Sequence, residues 1–195
     1  MPEVLLFGED FGHEVVVRAL IERVAKDRGG VARVKVRSSR GGYGRMQAEL
    51  ESFVRDLVRQ PVGRPDLLVL ATDANCVGRR KREEQLAPIL RPLEGLLPTV
   101  MAIPDPHIER WLLIDSQAFK AVLGRGCNAP TTKCQRDLYK DLLAKAVSDT
   151  DVRPLIGGME HAEEIVKAMD LRRMRQTEES LGRLIDDLER AFSAW

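Results

Sequence analysis

Three side chains that offer hard oxygen atoms stand where apolar runs stop. Two of them lie in the stretch Leu67–Arg82, LLVLATDANCVGRRKR, where five apolar residues, Leu67 to Ala71, end at Thr72-Asp73-Ala74-Asn75. Residues two apart on an extended backbone point the same way, so Asp73 and Asn75 can share one ligand. The third is Glu9, which follows the apolar run Val4–Phe7 in the turn GEDFGHE. If the two runs are neighbouring strands, Glu9 and Asp73 converge. Carboxylates held that close repel, and a divalent cation relieves the repulsion. A Mg²⁺ ion (or Mn²⁺) held by Glu9, Asp73 and Asn75 would orient a phosphodiester and activate water. Each acid has an ordinary reading as well, as a helix-capping residue on a βα turn.

Basic residues surround these acids in the sequence. Arg79, Arg80, Lys81 and Arg82 follow the DAN turn, and Arg40 lies within a glycine-rich turn, Ser38–Gly44, with Arg45 directly after it. Both groups are placed to hold the phosphates of DNA or RNA. A second informative stretch runs from Pro104 to Asp115, PDPHIERWLLID. Pro106 suits the opening of a helix. Glu109 then lies one turn before Leu112 and Leu113, placed to face the strand ends as a further ligand or as a general base. Lys140, in an expected helix Lys133–Val147, reads either as a ligand of the scissile phosphate or as a helix-surface lysine. His13 reads as a base near Glu9 or as a helix-start histidine, and His107 as a substrate contact beside Glu109 or as a loop histidine. Trp111 reads as core.

The elements that must position these residues follow from periodicity. Strands are expected at Val4–Phe7, Val31–Val36, Leu67–Ala71 and Thr99–Ile103, with Val31–Val36 alternating as an edge strand does. Helices are expected at His13–Asp27, Met46–Val58, Gly78–Leu93 and Ser116–Leu123, with a loop over Gln60–Pro65. Further on, Val152–Ile156 and Ala162–Met169 read as short helical pieces and Thr177–Trp195 as a long helix. The alternation predicts an α/β fold, a mainly parallel sheet flanked by helices, over residues 1–115. Residues 116–195 are expected as a helical extension packed on or beside it. In open sheets of this kind, ligands bind just outside the carboxyl ends of the strands, which is where Glu9 and Asp73 fall.

Bulk properties narrow the function. The 195 residues carry 31 Lys and Arg against 30 Asp and Glu, a net charge of +1. A globally basic nucleic-acid binder is therefore excluded, and any such contact must come from a local patch. The three cysteines, Cys76, Cys127 and Cys134, are odd in number and fit no zinc spacing, which argues against a disulfide framework. The start, MPEVLLFGED, is too short and acidic for a signal peptide, and no apolar run approaches membrane-spanning length. The expectation is a cytoplasmic protein with no membrane contact. No Gly-Lys-Ser/Thr follows the GEDFG turn, so it is not a P-loop.

Glu9 within GEDFGHE, Asp73 within TDAN and the segment Ile108-Glu109-Arg110-Trp111-Leu112-Leu113 together resemble the Toprim fold. More specifically, the chain resembles small Toprim-like proteins of prokaryotes related to the nuclease domain of the overcoming-lysogenisation-defect family. Tyr139-Lys140 and the closing helix share in the likeness, which covers nearly the whole chain. The resemblance implies a metal-dependent nuclease acting on DNA or RNA, with Glu9 and Asp73 as metal ligands. It also implies an ABC-type or AAA-type ATPase partner in an anti-phage defence system. Two departures stand out. Asn75 replaces the second acid of an Asp-x-Asp pair and brings no charge, and Asp10 stands where a glycine usually follows the glutamate. They leave a second class open, a non-catalytic Toprim-like subunit that binds nucleic acid or scaffolds an ATPase. The last helix has an apolar stripe and ends in Phe192 and Trp195, so it is expected to pack on its own domain and leave surface for an ATPase subunit or a second copy.

Overall fold

Four short apolar runs form one parallel sheet in the computed structural model, which describes residues 1–59 and 63–195. The strands are β1 (Glu3–Gly8), β2 (Arg33–Ser38), β3 (Leu67–Ala71) and β4 (Thr99–Ala102), in the spatial order β2-β1-β3-β4. Every residue of β3 is buried, as a strand covered on both faces requires. The alternating strand β2 lies at an edge and is largely exposed. Of the loop expected over Gln60–Pro65, residues 60–62 lie outside the described residues.

Side chains of alternating strand positions feed two cores. Leu67, Val69 and Ala71 of β3, with Val4 and Leu6 of β1, face one side. Leu68 and Leu70, with Phe7, face the other. The second core is closed by α2 (Gly42–Arg59) and α3 (Arg79–Leu90), through Met46, Leu50, Val54 and Leu86. The first is closed by α1 (Phe11–Asp27) and by every later helix. These are α4 (Ile108–Leu113), α5 (Ser116–Leu123), α6 (Leu138–Ser148), α7 (Ala162–Ala168), α8 (Leu171–Thr177) and α9 (Glu179–Phe192). The carboxyl-terminal helices therefore share one continuous core with the sheet. Leu181, Leu184, Ile185 and Leu188 of α9 are buried in it, so the apolar stripe of the last helix packs on its own domain.

Four segments differ from the sequence expectation. The turn expected over Ser38–Gly44 is shorter, because β2 runs to Ser38 and α2 begins at Gly42. Residues Val152–Ile156 are not helical. Pro154 interrupts them, and the Glu160 carboxylate accepts the amides of Leu155, Ile156 and Gly158, fixing a loop instead. The helix expected from Lys133 begins only at Leu138, because Cys134 and Asp137 take left-handed backbone conformations. An additional helix, α8, runs from Leu171, with Asp170 as its cap through the Arg173 amide. Among the described residues no helix is long and apolar enough to cross a membrane.

Candidate functional site

Glu9 and Asp73 come to the same edge of the sheet because β1 and β3 are parallel neighbours, with Gly8 opposite Ala71. The Glu9 amide donates to the Ala71 carbonyl at 3.0 Å, continuing the ladder one step beyond the strands. On the other side the ladder also continues past β4. Thr72 N donates to Ala102 O, Ala74 N to Pro104 O and Asn75 N to Pro106 O. These bonds carry Asp73 beneath the start of α4 and next to His107.

Asp73 is the most heavily bonded group of the site. Its Oδ1 accepts from the Ile108 amide at 2.9 Å and faces His13 Nε2 at 3.0 Å, while its Oδ2 faces His107 Nδ1 at 3.0 Å. Asp73 therefore caps a helix, as one reading of the sequence has it, but the helix is α4 and not its own α3. Asp10, not Glu9, caps α1, accepting the His13 amide at 3.2 Å. Asp10 Oδ1 also lies 2.8 Å from His13 Nδ1. The buried imidazole of His13 thus has a carboxylate at each nitrogen. Only the doubly protonated ring can donate to both.

The electrostatics follow from this chain of contacts. Burial opposes a charge on His13, yet Asp73 and Asp10 hold its pKa well above the usual histidine value. Burial would raise the carboxyl of Asp73, but His13 and His107 hold it below its ordinary value. Burial acts the same way on Asp10, and the contacts with His13 bring it down to about 2. The hydrogen bond to Asp73 raises His107. Glu109 behaves in the opposite way. Burial, reinforced by the negative charge of Asp73, pushes its carboxyl up to about 7. Its Oε2 is buried and has no hydrogen-bond partner. Neighbouring carboxyls driven apart in this way can divide the roles of fixed anion and proton carrier.

These groups line one cavity of about 330 Å³, shared by Glu9, Asp10, Asp73, Asn75, His107, Glu109 and Lys140. The sequence-predicted residues Glu9, Asp73, Asn75, Glu109 and Lys140 are therefore brought together. The Glu9 carboxylate accepts from Thr72 Oγ1. Tyr139 adds a wall, its ring centroid 6.0 Å from that of His107 and its hydroxyl donating to Pro130 O at 2.7 Å.

The basic residues divide. Arg82 is buried, with its guanidinium carbon 3.6 Å from the centroid of the Tyr43 ring and its Nε donating to the Asp73 carbonyl at 3.1 Å. That side chain is committed to the fold, and it stiffens the turn that carries Asp73. Arg79 is tied to Glu83 and Glu179. Arg80 is 90 % exposed in its side chain, Lys81 is also exposed, and Arg40 and Arg45 reach solvent beside Glu14 and Glu49.

The chemistry of the donor set suits a hard cation. Glu9, the Asn75 carbonyl and the remaining lone pair of Asp73 Oδ2 are hard oxygen donors, and the unpartnered Oε2 of Glu109 is an atom that a cation or a proton would satisfy. Asp73 Oδ1 has no such capacity, because two donors already occupy it. Among the described residues no group of three or more His, Cys, Asp or Glu side chains is gathered as a metal site.

Sequence reasoning left Asp10 out of the site and gave His13 no part in holding Asp73. Asp10 and His13 stand at the spacing of a capping contact, but nothing in the sequence marks that the other nitrogen of His13 reaches a residue sixty positions away. Compared with known proteins, the chain matches no family model, no curated protein and no solved structure.

Proposed function

We propose that this protein is a Toprim-type, metal-dependent nuclease that hydrolyses phosphodiester bonds of DNA or RNA. The observation that carries the reading is Glu109, a buried carboxyl with an unpartnered oxygen on the wall of a cavity lined by Glu9, Asp73, Asn75 and Lys140. The likeness of the GEDFGHE, TDAN and IERWLL segments to Toprim proteins supports it. Glu9, Asp73 through Oδ2, and Asn75 would hold one Mg²⁺ or Mn²⁺ ion. Such an ion supplies charge neutralisation at the phosphate and lowers the pKa of water. The chain's own residues supply the rest. Glu109 takes up a proton at Oε2 near neutral pH, as a general base does. Lys140 offers an ammonium group to the scissile phosphate. His13 and the Ile108 amide hold Asp73 in one orientation, and Arg40, Arg45, Arg80 and Lys81 hold the flanking strand. An ABC-type or AAA-type ATPase partner, an anti-phage role and a cytoplasmic site of action belong to the same proposal.

The test is cleavage of labelled single- and double-stranded DNA and RNA with Mg²⁺ or Mn²⁺, alone and with any ATPase encoded alongside. Cleavage that is lost in Glu9→Gln and Asp73→Asn supports the reading. No cleavage by the complete complex, or Asp73→Asn cutting as well as the unaltered protein, rejects it. One observation favours a second reading. Three donors occupy Asp73 and Asn75 brings no charge, which suits a non-catalytic subunit that binds nucleic acid or scaffolds an ATPase. Nucleic-acid binding without cleavage under all these conditions would select it.

A further inference from the structure

The cavity lined by Glu9 and Asp73 has a neighbour. A second cavity, of about 280 Å³, shares Asp10, Glu109 and Lys140 with it, so the two adjoin at those side chains. The rest of its lining carries no charge: Phe11, Gly12, Ile156, Gly157 and Met159. None of these five has a part in the proposed hydrolysis. Phe11 opens α1 directly after its cap, Asp10, and is 39 % exposed, while Ile156 is 52 % exposed. Single apolar side chains in water are ordinary, but these two come from separate elements and line one concave surface. Ile156 also stands on a fixed turn, because the Glu160 carboxylate accepts its amide at 2.9 Å together with those of Leu155 and Gly158. Next to them the packing is tight. Met159 is buried, and a Cβ at Gly12 would come within 3.2 Å of both Met159 Cε and Ile108 Cγ2. A Cβ at Gly157 would meet nothing within 4 Å, so that side of the cavity is open.

We propose that this second cavity takes an unpaired nucleobase of the substrate, stacked on Phe11 and packed against Ile156, so that the preferred substrate is single-stranded. The inference rests on the nuclease reading for the place of the phosphate. A nucleotide joins an anionic phosphate, through its sugar, to a flat base with apolar faces. The adjoining cavities offer that pair of surfaces side by side, oxygen donors and the Lys140 ammonium in one, an aromatic ring and aliphatic groups in the other. An apolar side chain of a protein would fill the second cavity and bring nothing to the first. In a duplex the faces of each base are covered by its neighbours, and a base reaches such a cavity only by leaving the stack. That cost is least for a strand that is already single. Stacking on an aromatic ring favours every base, so the selection is for strandedness and not for sequence.

The test is equilibrium binding of labelled single-stranded and duplex oligonucleotides, DNA and RNA, to the full chain, read by fluorescence anisotropy. Ca²⁺ is the cation and strand integrity is checked afterwards, so that binding is read apart from cleavage. Phe11→Ala is expected to weaken single-strand binding by about 5- to 150-fold and to leave duplex binding unchanged. Phe11→Tyr, which keeps the ring, should bind as the unaltered protein does. Ile156→Ser, at an exposed loop position, should act in the same direction as Phe11→Ala without touching the start of α1. An abasic strand of the same length keeps the phosphates and lacks the bases. It should bind the unaltered protein more weakly than its normal counterpart and be indifferent to Phe11→Ala. An abasic strand bound as tightly as the normal one would overturn the proposal. So would single strands and duplexes weakened alike, or neither weakened, in both Phe11→Ala and Ile156→Ser. Cleavage by the unaltered protein would in that case leave the nuclease reading standing. Single-strand binding that depends on Phe11, with no cleavage in Mg²⁺ or Mn²⁺, would uphold the base site and reject the hydrolysis. No binding of any strand would reject both.

Discussion

His13 Nε2 lies 3.0 Å from Asp73 Oδ1, and the two residues are joined across the sheet edge from elements sixty positions apart. The contact fixes the orientation of the carboxylate on which the site is built. It also charges the ring, because the second nitrogen faces Asp10. Removing one partner of a buried charged pair leaves the other uncompensated. His13→Ala is therefore expected to destabilise the fold by roughly 3–5 kcal/mol, read from urea unfolding midpoints. A loss below about 1 kcal/mol, the range of an exposed pair, would mean that the imidazole is neutral and its contacts are weak.

The same contact sets a pH dependence. The pKa of His13 is raised in the folded protein, so its stabilisation is complete below the unfolded value of about 6.5 and is lost as pH climbs through the raised folded value. Asp73 and Asp10 are lowered, so their stabilisation is present above an unfolded value of about 3.9. It is lost as pH falls through their folded values, about 2 for Asp10. These groups should therefore lower the unfolding midpoint at the acid end, as Asp73 and Asp10 protonate, and at the alkaline end, as His13 loses its charge, and His13→Ala should flatten that alkaline limb. An unchanged alkaline limb in that variant would contradict the assignment.

Glu109 carries the opposite sign. Its carboxyl is raised from 4.5 to about 7, so folding is penalised only where the group ionises. The penalty is absent below the unfolded value, grows as pH climbs to about 7 and is constant above it. Glu109→Gln should therefore stabilise the metal-free protein at pH 8 by about 3 kcal/mol and leave it nearly unchanged at pH 4. Equal effects at both pH values would show that burial does not perturb Glu109.

Arg82 and Arg80 stand two residues apart in one basic run and should behave differently. Arg82→Ala loses the stack on Tyr43 and the bond to the Asp73 carbonyl, and is expected to cost about 1–3 kcal/mol of stability. Arg80→Ala and Lys81→Ala should leave unfolding unchanged. In the proposed complex each should weaken nucleic-acid binding and lower the salt slope by about 1. Salt-dependent binding measured beside thermal unfolding separates the two effects.

The contrast between Arg79–Arg82 and the strand ends shows what the sequence made legible. The parallel sheet was readable because the run Leu67–Ala71 is apolar throughout, and Glu9 and Asp73 follow directly from where the runs stop. The apolar stripe of the last helix was likewise readable as packing on its own domain. What could not be read was long-range. A run of four basic residues looks uniform, yet the stacking of Arg82 on Tyr43 depends on how α3 lies against α2. The bond from His13 to Asp73 depends on the β1–β3 register, and the late start of α6 on left-handed residues that local propensity does not mark. Val152–Ile156 has helical apolar spacing, but three amides captured by Glu160 outweigh it.

Leu188 tests the packing of the carboxyl-terminal helices. It is fully buried in the core shared with β1, β3 and α1. Leu188→Ala should cost about 2–5 kcal/mol in a single cooperative transition. An unfolding midpoint unchanged by the substitution would mean that α9 is not part of the sheet's core.

In the proposed hydrolysis Glu109 moves the proton, and single-turnover cleavage tests that role most directly. The unaltered protein and Glu109→Gln are compared with Mn²⁺, with nucleic-acid binding measured in parallel and any companion ATPase present. Binding is expected to be unchanged and the cleavage rate lower by about 10²–10⁴-fold. A Glu109→Gln variant that binds and cuts as fast as the unaltered protein would contradict it.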